Sequence, residues 1–426
     1  MRKQYDAVIV GAGLAGCTAA ILFGKRGARV ALIDRNLDPG AYKRICTHFI
    51  QASASPVIDN LGLGALIEGA GGLKNYGEFW TRWGWIREPA NSRRYGYNIR
   101  RETLDPLLRK LALDTPGVDA FLGCALRDLL TDQGRTVGVR VENAAGQSIE
   151  IRGRLIVGAD GRNSQVARLS GLPVKTSLSN RFTYFTYYRD LPLAANGASQ
   201  LWLLDPDVAY ACPNDSGLTM IAVCLTNDKF ESWKADLDKS FVELFATLAD
   251  APNLDRAVRV SPFLGAKGMH HVSRTVSSPG LALVGDAGLA PDPLWGVGCG
   301  WAFQSAAWLV DCTGSHLADP TTLDKALRSY HRYHRHSLGW HERLISRYAN
   351  GRGFNVLEKL MLSAAARDAH HASSLTKYAD RSASVSDFIS PSEILSAVTS
   401  NAMHWVRQRR SASVPSRRRG EVASDI

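Results

Sequence analysis

The run Asp6-Ala7-Val8-Ile9-Val10-Gly11-Ala12-Gly13-Leu14-Ala15-Gly16-Cys17-Thr18-Ala19-Ala20 restricts the fold of this chain more than any other stretch. Ala7 to Val10 are apolar without alternation, the pattern of a strand buried on both faces. The chain then turns on Gly11 and Gly13 and enters a helix of small side chains. The three glycines serve different physical ends. Gly11 permits the tight turn, Gly13 lets backbone approach a pyrophosphate, and Gly16 lets the helix pack closely on the strand. The first helical amides, those of Leu14 and Ala15 among them, are unpaired and carry positive partial charge that suits a phosphate. A second strand, from Arg29 to Ile33, ends at Asp34, whose carboxylate accepts hydrogen bonds from a ribose diol and repels a 2′-phosphate. Strand, glycine turn, helix and acidic strand end together define an adenine-dinucleotide site, with Arg35 next along the same edge.

Two later strands end in a similar way. Leu155 to Gly158 lead into Ala159-Asp160-Gly161, and Gly280 to Val284 lead into Gly285-Asp286-Ala287-Gly288. A buried strand that stops on an acid and a glycine puts a carboxylate and bare backbone at the carboxyl edge of an open sheet, where ligands bind. Pro293 and Gly296-Val297-Gly298-Cys299-Gly300 follow, then a helix to about Asp311, which makes a second anion-seeking helix start. No second GxGxxG follows a strand, which argues against a separate nicotinamide domain.

Between these stations the style changes. Phe182, Tyr184, Phe185, Tyr187, Tyr188, Trp202 and Tyr210 lie in short alternating runs broken by Gly, Pro and Asn, the pattern of an antiparallel sheet with one face covered. An aromatic, strand-like stretch also spans Tyr76 to Tyr97. The expected fold class is therefore α/β, α+β overall. A discontinuous dinucleotide-binding domain takes residues 1–75, 97–175 and 275–320, and an inserted antiparallel-sheet substrate domain takes 76–96 and 176–274. C-terminal helices follow over 321–400, then a basic, disordered tail over 401–426. His331 and His334 share a helical face there, but no carboxylate motif accompanies them and no metal is assigned.

Composition closes off other classes. Seven scattered cysteines without a CxxC pair argue against a disulfide framework or a zinc site, and for a reducing cytoplasm. No apolar run approaches the roughly 18–20 residues that span a bilayer, and the first strand begins too early for a secretory signal. The net charge of +11 is partly a tail effect, since Arg407, Arg409, Arg410, Arg417, Arg418 and Arg419 face only Glu421 and Asp425. A solvated end explains this tail better than nucleic-acid binding; contact with anionic surfaces is the weaker alternative.

Taken together, GAGLAG at 11–16 with Asp34, GADGRNS at 158–164 and LVGDAGLAPDPLWGVGCGWAF at 283–303 resemble the FAD-binding fold of the para-hydroxybenzoate hydroxylase-like superfamily, the class A flavoprotein monooxygenases. The chain is also similar to the geranylgeranyl-reductase-like branch of that superfamily, which Val208 to Pro213 loosely echo. The resemblance implies a Rossmann-type domain holding FAD. Gly11, Gly13 and Gly16 would hold its pyrophosphate, and Asp34 its adenosine ribose. Arg44 and Arg101 would line the cofactor, while Asp160 and Gly161 would shape the dinucleotide and nicotinamide groove. Gly285 and Asp286 would contact the ribityl chain, with Pro293, Gly296, Val297 and Gly298 facing the isoalloxazine. Many relatives carry a His after Gly-Asp-Ala, where this chain has Gly288.

The expected activity is a monooxygenase that hydroxylates or epoxidises a small organic substrate, with NAD(P)H as transient reductant and O2 as oxidant. The alternative is a flavin-dependent reductase of carbon–carbon double bonds. A flavin-dependent halogenase is the third reading. Trp83-Gly84-Trp85-Ile86 is superficially similar to the halogenase WxWxIP signature, yet it precedes the Asp160-Gly161 station, and no lysine matches the characteristic halogenase lysine. His48, Tyr184 and Tyr210 are the candidate pocket residues.

Overall fold

The computed structural model describes residues 4–194 and 197–412. In chain order, β1 (Gln4–Val10), α1 (Leu14–Lys25) and β2 (Val30–Asp34) form the first unit, followed by the hairpin β3 (Gly77–Thr81) and β4 (Gly84–Ile86). Next come α2 (Arg101–Leu113), β5 (Val118–Leu122), β6 (Ala125–Asp132), β7 (Arg135–Glu142), β8 (Ser148–Gly158) and α3 (Gln165–Ser170). Then β9 (Arg181–Arg189), β10 (Ser199–Leu203), β11 (Val208–Pro213) and β12 (Leu218–Thr226) lead to α4 (Phe230–Ala235), α5 (Leu237–Thr247) and β13 (Leu264–Lys267). The chain ends with β14 (Leu281–Leu283), α6 (Gly298–Thr313), α7 (Pro320–Ala349), α8 (Val356–Ala365), α9 (Ala369–Ala379), α10 (Val385–Phe388) and α11 (Pro391–Ala412).

The first sheet has the parallel core β14-β8-β1-β2-β5, with β6 and β7 added to β8 as an antiparallel pair. Val8, Ile9, Leu32, Ile156, Val157 and Leu283 are fully buried in it, as unbroken apolar runs require of strands covered on both faces. α1 packs against α6, and both begin at the carboxyl edge of these strands. This is a Rossmann-type FAD-binding architecture with an inserted sheet.

The second sheet runs β9-β12-β11-β10-β3-β4, with β13 on β9. It is not purely antiparallel, because β10 pairs with β3 in parallel from Ser199↔Gly77 to Trp202↔Trp80. Nor is only one face covered. Phe182, Trp202, Ala209 and Val223 pack on one side against Phe241 and Phe245 of α5. Phe185, Leu203, Tyr210 and Met220 face the other way, toward Met361, Leu375 and Phe388 of the C-terminal helices. Burial on both faces explains why all nine residues of β12 are buried and apolar alternation fades there.

α11 continues through residues 401–412, with Arg409 stacked 3.6 Å over the ring of Trp405. This corrects the expectation of a disordered end for that stretch; residues 413–426 lie outside the described residues. In α7, His334 is buried with its ring beside Tyr330 and Trp308, a packing role. No described helix is long and apolar enough to cross a membrane.

Candidate cofactor cleft and substrate chamber

A cleft of about 860 Å³ lies over the carboxyl edge of the parallel sheet. Gly11, Gly13, Leu14, Ala15, Asp34 and Arg35 line one side, Arg44, Arg101, Asp160 and Gly161 another, and Asp286, Pro293, Gly296, Val297 and Gly298 a third. The glycines differ in what they allow. Gly11 has φ +108°, and a Cβ there would sit 2.5 Å from the carbonyl oxygen of Ala159. A Cβ on Gly16 would overlap the carbonyl of Gly11, so Gly16 serves helix-on-strand contact and does not line the cleft. A Cβ on Gly13 would meet no atom within 4 Å, so the space beside it is open to a ligand.

Three helices start at this edge, and their ends are satisfied differently. Asp160 accepts hydrogen bonds from Ser164 Oγ (2.5 Å), Gln165 N (2.6 Å) and Val166 N (3.1 Å), so its carboxylate is occupied in closing the start of α3. α1 and α6 have no side-chain cap. Their first amides therefore lack an internal partner and face the cleft, as an anionic cofactor requires. Asp34 accepts from the amides of Ala12 (2.7 Å) and Asn36 (2.8 Å), which fixes its carboxylate at the cleft wall. Open space at Gly13, two uncapped helix starts and an anchored acid at the ribose position fit FAD.

Some of the groups that hold these walls, Lys43, Arg109 and Cys299 among them, carry no signal that the sequence alone singles out. Lys43 Nζ pairs with Asp286 at 3.0 Å. Burial pushes the Asp286 carboxyl up, but Lys43 outweighs it and holds the group below the usual carboxylate range. Arg109 donates to the carbonyls of Ala41 (2.9 Å) and Ala12 (3.2 Å), bracing the glycine turn. Arg101 is buried against Asp105, with nitrogen–oxygen distances of 2.5 and 2.9 Å. The thiols of Cys46 and Cys299 lie 3.5 Å apart at the cleft wall. A hydrogen bond from Cys299 lowers the Cys46 pKa despite burial, and His48, Arg101 and Lys43 add to the effect; the Cys299 thiol is raised correspondingly. Asp292 is buried with Oδ2 unbonded, and burial pushes its carboxyl up. Its one sequence signal is an acid set between two prolines, in a run that is otherwise apolar.

The three candidate pocket residues separate. His48 lines neither cavity. Its Nδ1 accepts from the amide of Arg101 (2.9 Å), which leaves the proton on Nε2 to face the Tyr187 hydroxyl, and burial lowers its pKa. It is a buried strut. Tyr184 points to the helix-covered face, stacked on Phe230 and edge-on to Phe182, while its neighbours Thr183 and Phe185 line the cleft. Strand alternation thus excludes Tyr184 and brings in the residues on either side. Tyr210 does line a cavity, with its hydroxyl donated to the carbonyl of Leu294. Gly285 is buried and donates its amide to Ser305 Oγ (2.8 Å); it supports α6 from behind and does not line the cleft.

That second cavity, about 570 Å³, lies between β10–β11 and helices α7–α10 and is walled mainly by Phe79, Leu201, Leu203, Tyr210, Met361 and Phe388. Thr47 and Gly296 line both cavities, so the chamber adjoins the cleft beside the start of α6.

A dinucleotide cleft joined to a largely apolar chamber is the arrangement of a flavoprotein oxidoreductase. Residues 4–341 match the family model described as FAD binding domain, and the chain belongs to that family of enzymes. Among curated relatives, digeranylgeranylglycerophospholipid reductase 1 of Methanococcoides burtonii is 25% identical over 354 residues, covering 80% of this chain and 81% of that protein. Tryptophan 2-halogenase of Chondromyces crocatus is also 25% identical, covering 78% of this chain and 66% of its own length. Among solved structures, the flavin-dependent brominase Bmp2 superimposes with a TM-score of 0.76 at 15% identity, over 96% of this chain and all of that one. PqsL of P. aeruginosa in complex with 2-aminobenzoylacetate gives 0.65 at 20% identity, over 87% and 99%. The family model and the curated relatives thus support the superfamily of class A flavoprotein monooxygenases and geranylgeranyl reductases, and the solved structures share its fold.

Proposed function

We propose that the chain is an FAD-dependent monooxygenase that hydroxylates or epoxidises a largely apolar small organic substrate, with NAD(P)H as reductant and O2 as oxidant. The observation that carries this reading is the apolar chamber meeting the cleft at Thr47 and Gly296. Bound FAD supplies two-electron transfer and oxygen activation. The chain's own residues bind and enclose. Gly11, Gly13 and the amides of Leu14 and Ala15 hold the pyrophosphate, Asp34 the ribose, and Arg35, Arg44 and Arg101 the flanks. The amides that open α6, with Gly296, Val297 and Gly298, would stabilise negative charge on a flavin held there. A helix dipole alone contributes at most about 2 kcal/mol, so direct N–H contacts supply much of the effect. The chamber walls exclude water from the reacting centre. In this reading residues 1–75, 97–175 and 275–320 carry the cofactor, and 76–96 with 176–274 hold the substrate together with the C-terminal helices, whose Met361, Leu375 and Phe388 line the chamber.

Two observations count against halogenation. Trp83 and Trp85 line neither cavity, and Trp85 is tied instead to Asp250 through Nε1 (2.7 Å). No lysine lines the chamber among the described residues. Reduction of a carbon–carbon double bond is the second reading, favoured by Tyr210 and Cys212 of β11 on the chamber wall and by the curated reductase relatives.

The test is to purify the FAD-loaded protein and supply NAD(P)H, candidate substrates and ¹⁸O₂. Incorporation of one labelled oxygen per NAD(P)H consumed supports the monooxygenase. Product formed without oxygen and two hydrogens heavier identifies the reductase, and product formed only with bromide or chloride identifies the halogenase.

A further inference from the structure

The arginines that line the chamber are not equally satisfied. Arg352 is paired with Glu358 through two bonds of 2.6 and 2.7 Å. Arg94 has an ion-pair partner, Asp380 at 2.8 Å, although its Nε and Nη2 are buried without a well-formed hydrogen bond. Asp380 also accepts from Ser382 Oγ (2.6 Å) and Ser382 N (3.0 Å), which leaves its carboxylate well used. Arg381, the next residue, has no carboxylate within bonding distance among the described residues, and its Nε is buried without a hydrogen bond. Two guanidinium groups thus share one carboxylate, and one positive charge is left over on an apolar wall.

A half-buried guanidinium without a partner is costly unless a ligand completes it. Burial lowers its pKa to about 10, the direction expected of a cation short of compensation. The backbone is also held in an uncommon state, with φ +66° at Arg381, a left-handed conformation that non-glycine residues adopt where surrounding structure fixes them. Arg343 and Arg347 line the same chamber from its exposed side, adding positive charge along the route from solvent. Arg381 lies beyond residues 4–341, the stretch matched by the family model, so this feature belongs to the chain's own C-terminal helices.

We infer that Arg381 anchors an oxyanion head group, carboxylate or phosphate, of a substrate whose apolar body fills the chamber toward Gly296. The inference rests on the chamber being the substrate site, as proposed above. The guanidinium fork presents parallel donors to two oxygens of such a group, which fixes orientation as well as affinity. A volume of about 570 Å³ is within the range of small-molecule sites. The apolar walls contributed by Leu203, Met361 and Phe388 give the body its binding energy, and the head group fixes which carbon reaches the cleft.

The test uses calorimetry on the FAD-loaded full chain with decanoate, decyl phosphate and decan-1-ol, which share one apolar body. Wild type is expected to bind at least one anion about tenfold or more tighter than the alcohol, the advantage of a charge-assisted hydrogen bond. The better anion distinguishes a carboxylic acid from a phosphate ester as the natural head group. Arg381→Gln should abolish the preference while changing alcohol binding less than about twofold, and Arg381→Lys should retain part of it. Wild type that binds the three probes equally, or none of them, overturns the anchor, as does Arg381→Gln that keeps the preference. Flavin absorbance and reduction by NAD(P)H, measured on the same wild-type sample, report the flavoenzyme reading separately. A yellow, reducible protein with no anion preference rejects the anchor alone.

Discussion

At the residue scale, Gly13 and Gly11 make opposite predictions from the same motif. Gly13 has an ordinary backbone conformation and open space where a side chain would go. Gly13→Val should leave the melting temperature of the cofactor-free protein within about a degree, because surface changes cost little. The same variant should weaken FAD binding at least tenfold in an equilibrium fluorescence titration, a loss of about 1.4 kcal/mol. Gly11→Ala should instead destabilise the cofactor-free protein, since a positive φ and a carbonyl at 2.5 Å both oppose a side chain. The thiol pair gives a second measurement. Removing the Cys299 hydrogen bond by Cys299→Ala should raise the Cys46 pKa, so the rise of its iodoacetamide reactivity with pH shifts to higher pH. An unshifted profile would mean that the cations around Cys46, not its neighbour, set its acidity.

At the element scale, the long helix α7 carries two buried histidines whose surroundings oppose protonation. Burial lowers His334 to about 4, with His331 adding to it, and burial with Arg381 lowers His341 to about 3. In the unfolded chain both titrate near about 6.5. Their folded values are depressed, so the stabilising neutral forms persist above about pH 6.5 and stability is lost as pH falls below that. With both contributing, unfolding free energy should fall by roughly 2–3 kcal/mol per pH unit between about pH 6 and 4. Urea midpoints across that range should decline less steeply in a His334→Gln, His341→Gln variant. Legibility also varies by element. The three cofactor stations can be read because strand ends, glycines and acids are adjacent in sequence, as at Val10-Gly11 and Gly158-Ala159-Asp160. Tyr184 misleads because period-two alternation gives two faces and the chain alone does not say which one meets the ligand. α4 and α5 escape notice because Phe230, Trp233, Phe241 and Phe245 read as more of the aromatic sheet; their i+3 and i+4 spacings are the helical signal that separates them. The parallel pairing of β10 with β3 has no local signature, since the partners stand far apart in the chain.

At the scale of the whole molecule, the two sheets are tied by a polar junction. Asp215, in the turn after β11, accepts from Arg100 N (2.7 Å), the Arg100 guanidinium (3.1 and 3.2 Å) and Thr103 Oγ1 (2.7 Å) at the start of α2. Burial raises its pKa, yet these hydrogen bonds outweigh that and hold it low. Its contribution is therefore present above the usual carboxylate range and disappears as pH falls through the lowered value. Asp215→Ala leaves Arg100 without its main partner and should cost about 3 kcal/mol. Calorimetry should then show a broadened or split transition, whereas a single sharp one at the wild-type temperature would deny the junction any such role. The parallel seam between Gly77–Trp80 and Ser199–Trp202 has its own consequence. A strand made early in the chain is stitched into a sheet whose other members are made much later, with half of the cofactor framework synthesised in between. No single cut can therefore liberate either half intact. During synthesis the ribosome must deliver nearly half of the polypeptide, through Leu203 of 426 residues, before the early hairpin finds its neighbour, so that hairpin waits on a strand from beyond the next stretch of cofactor framework.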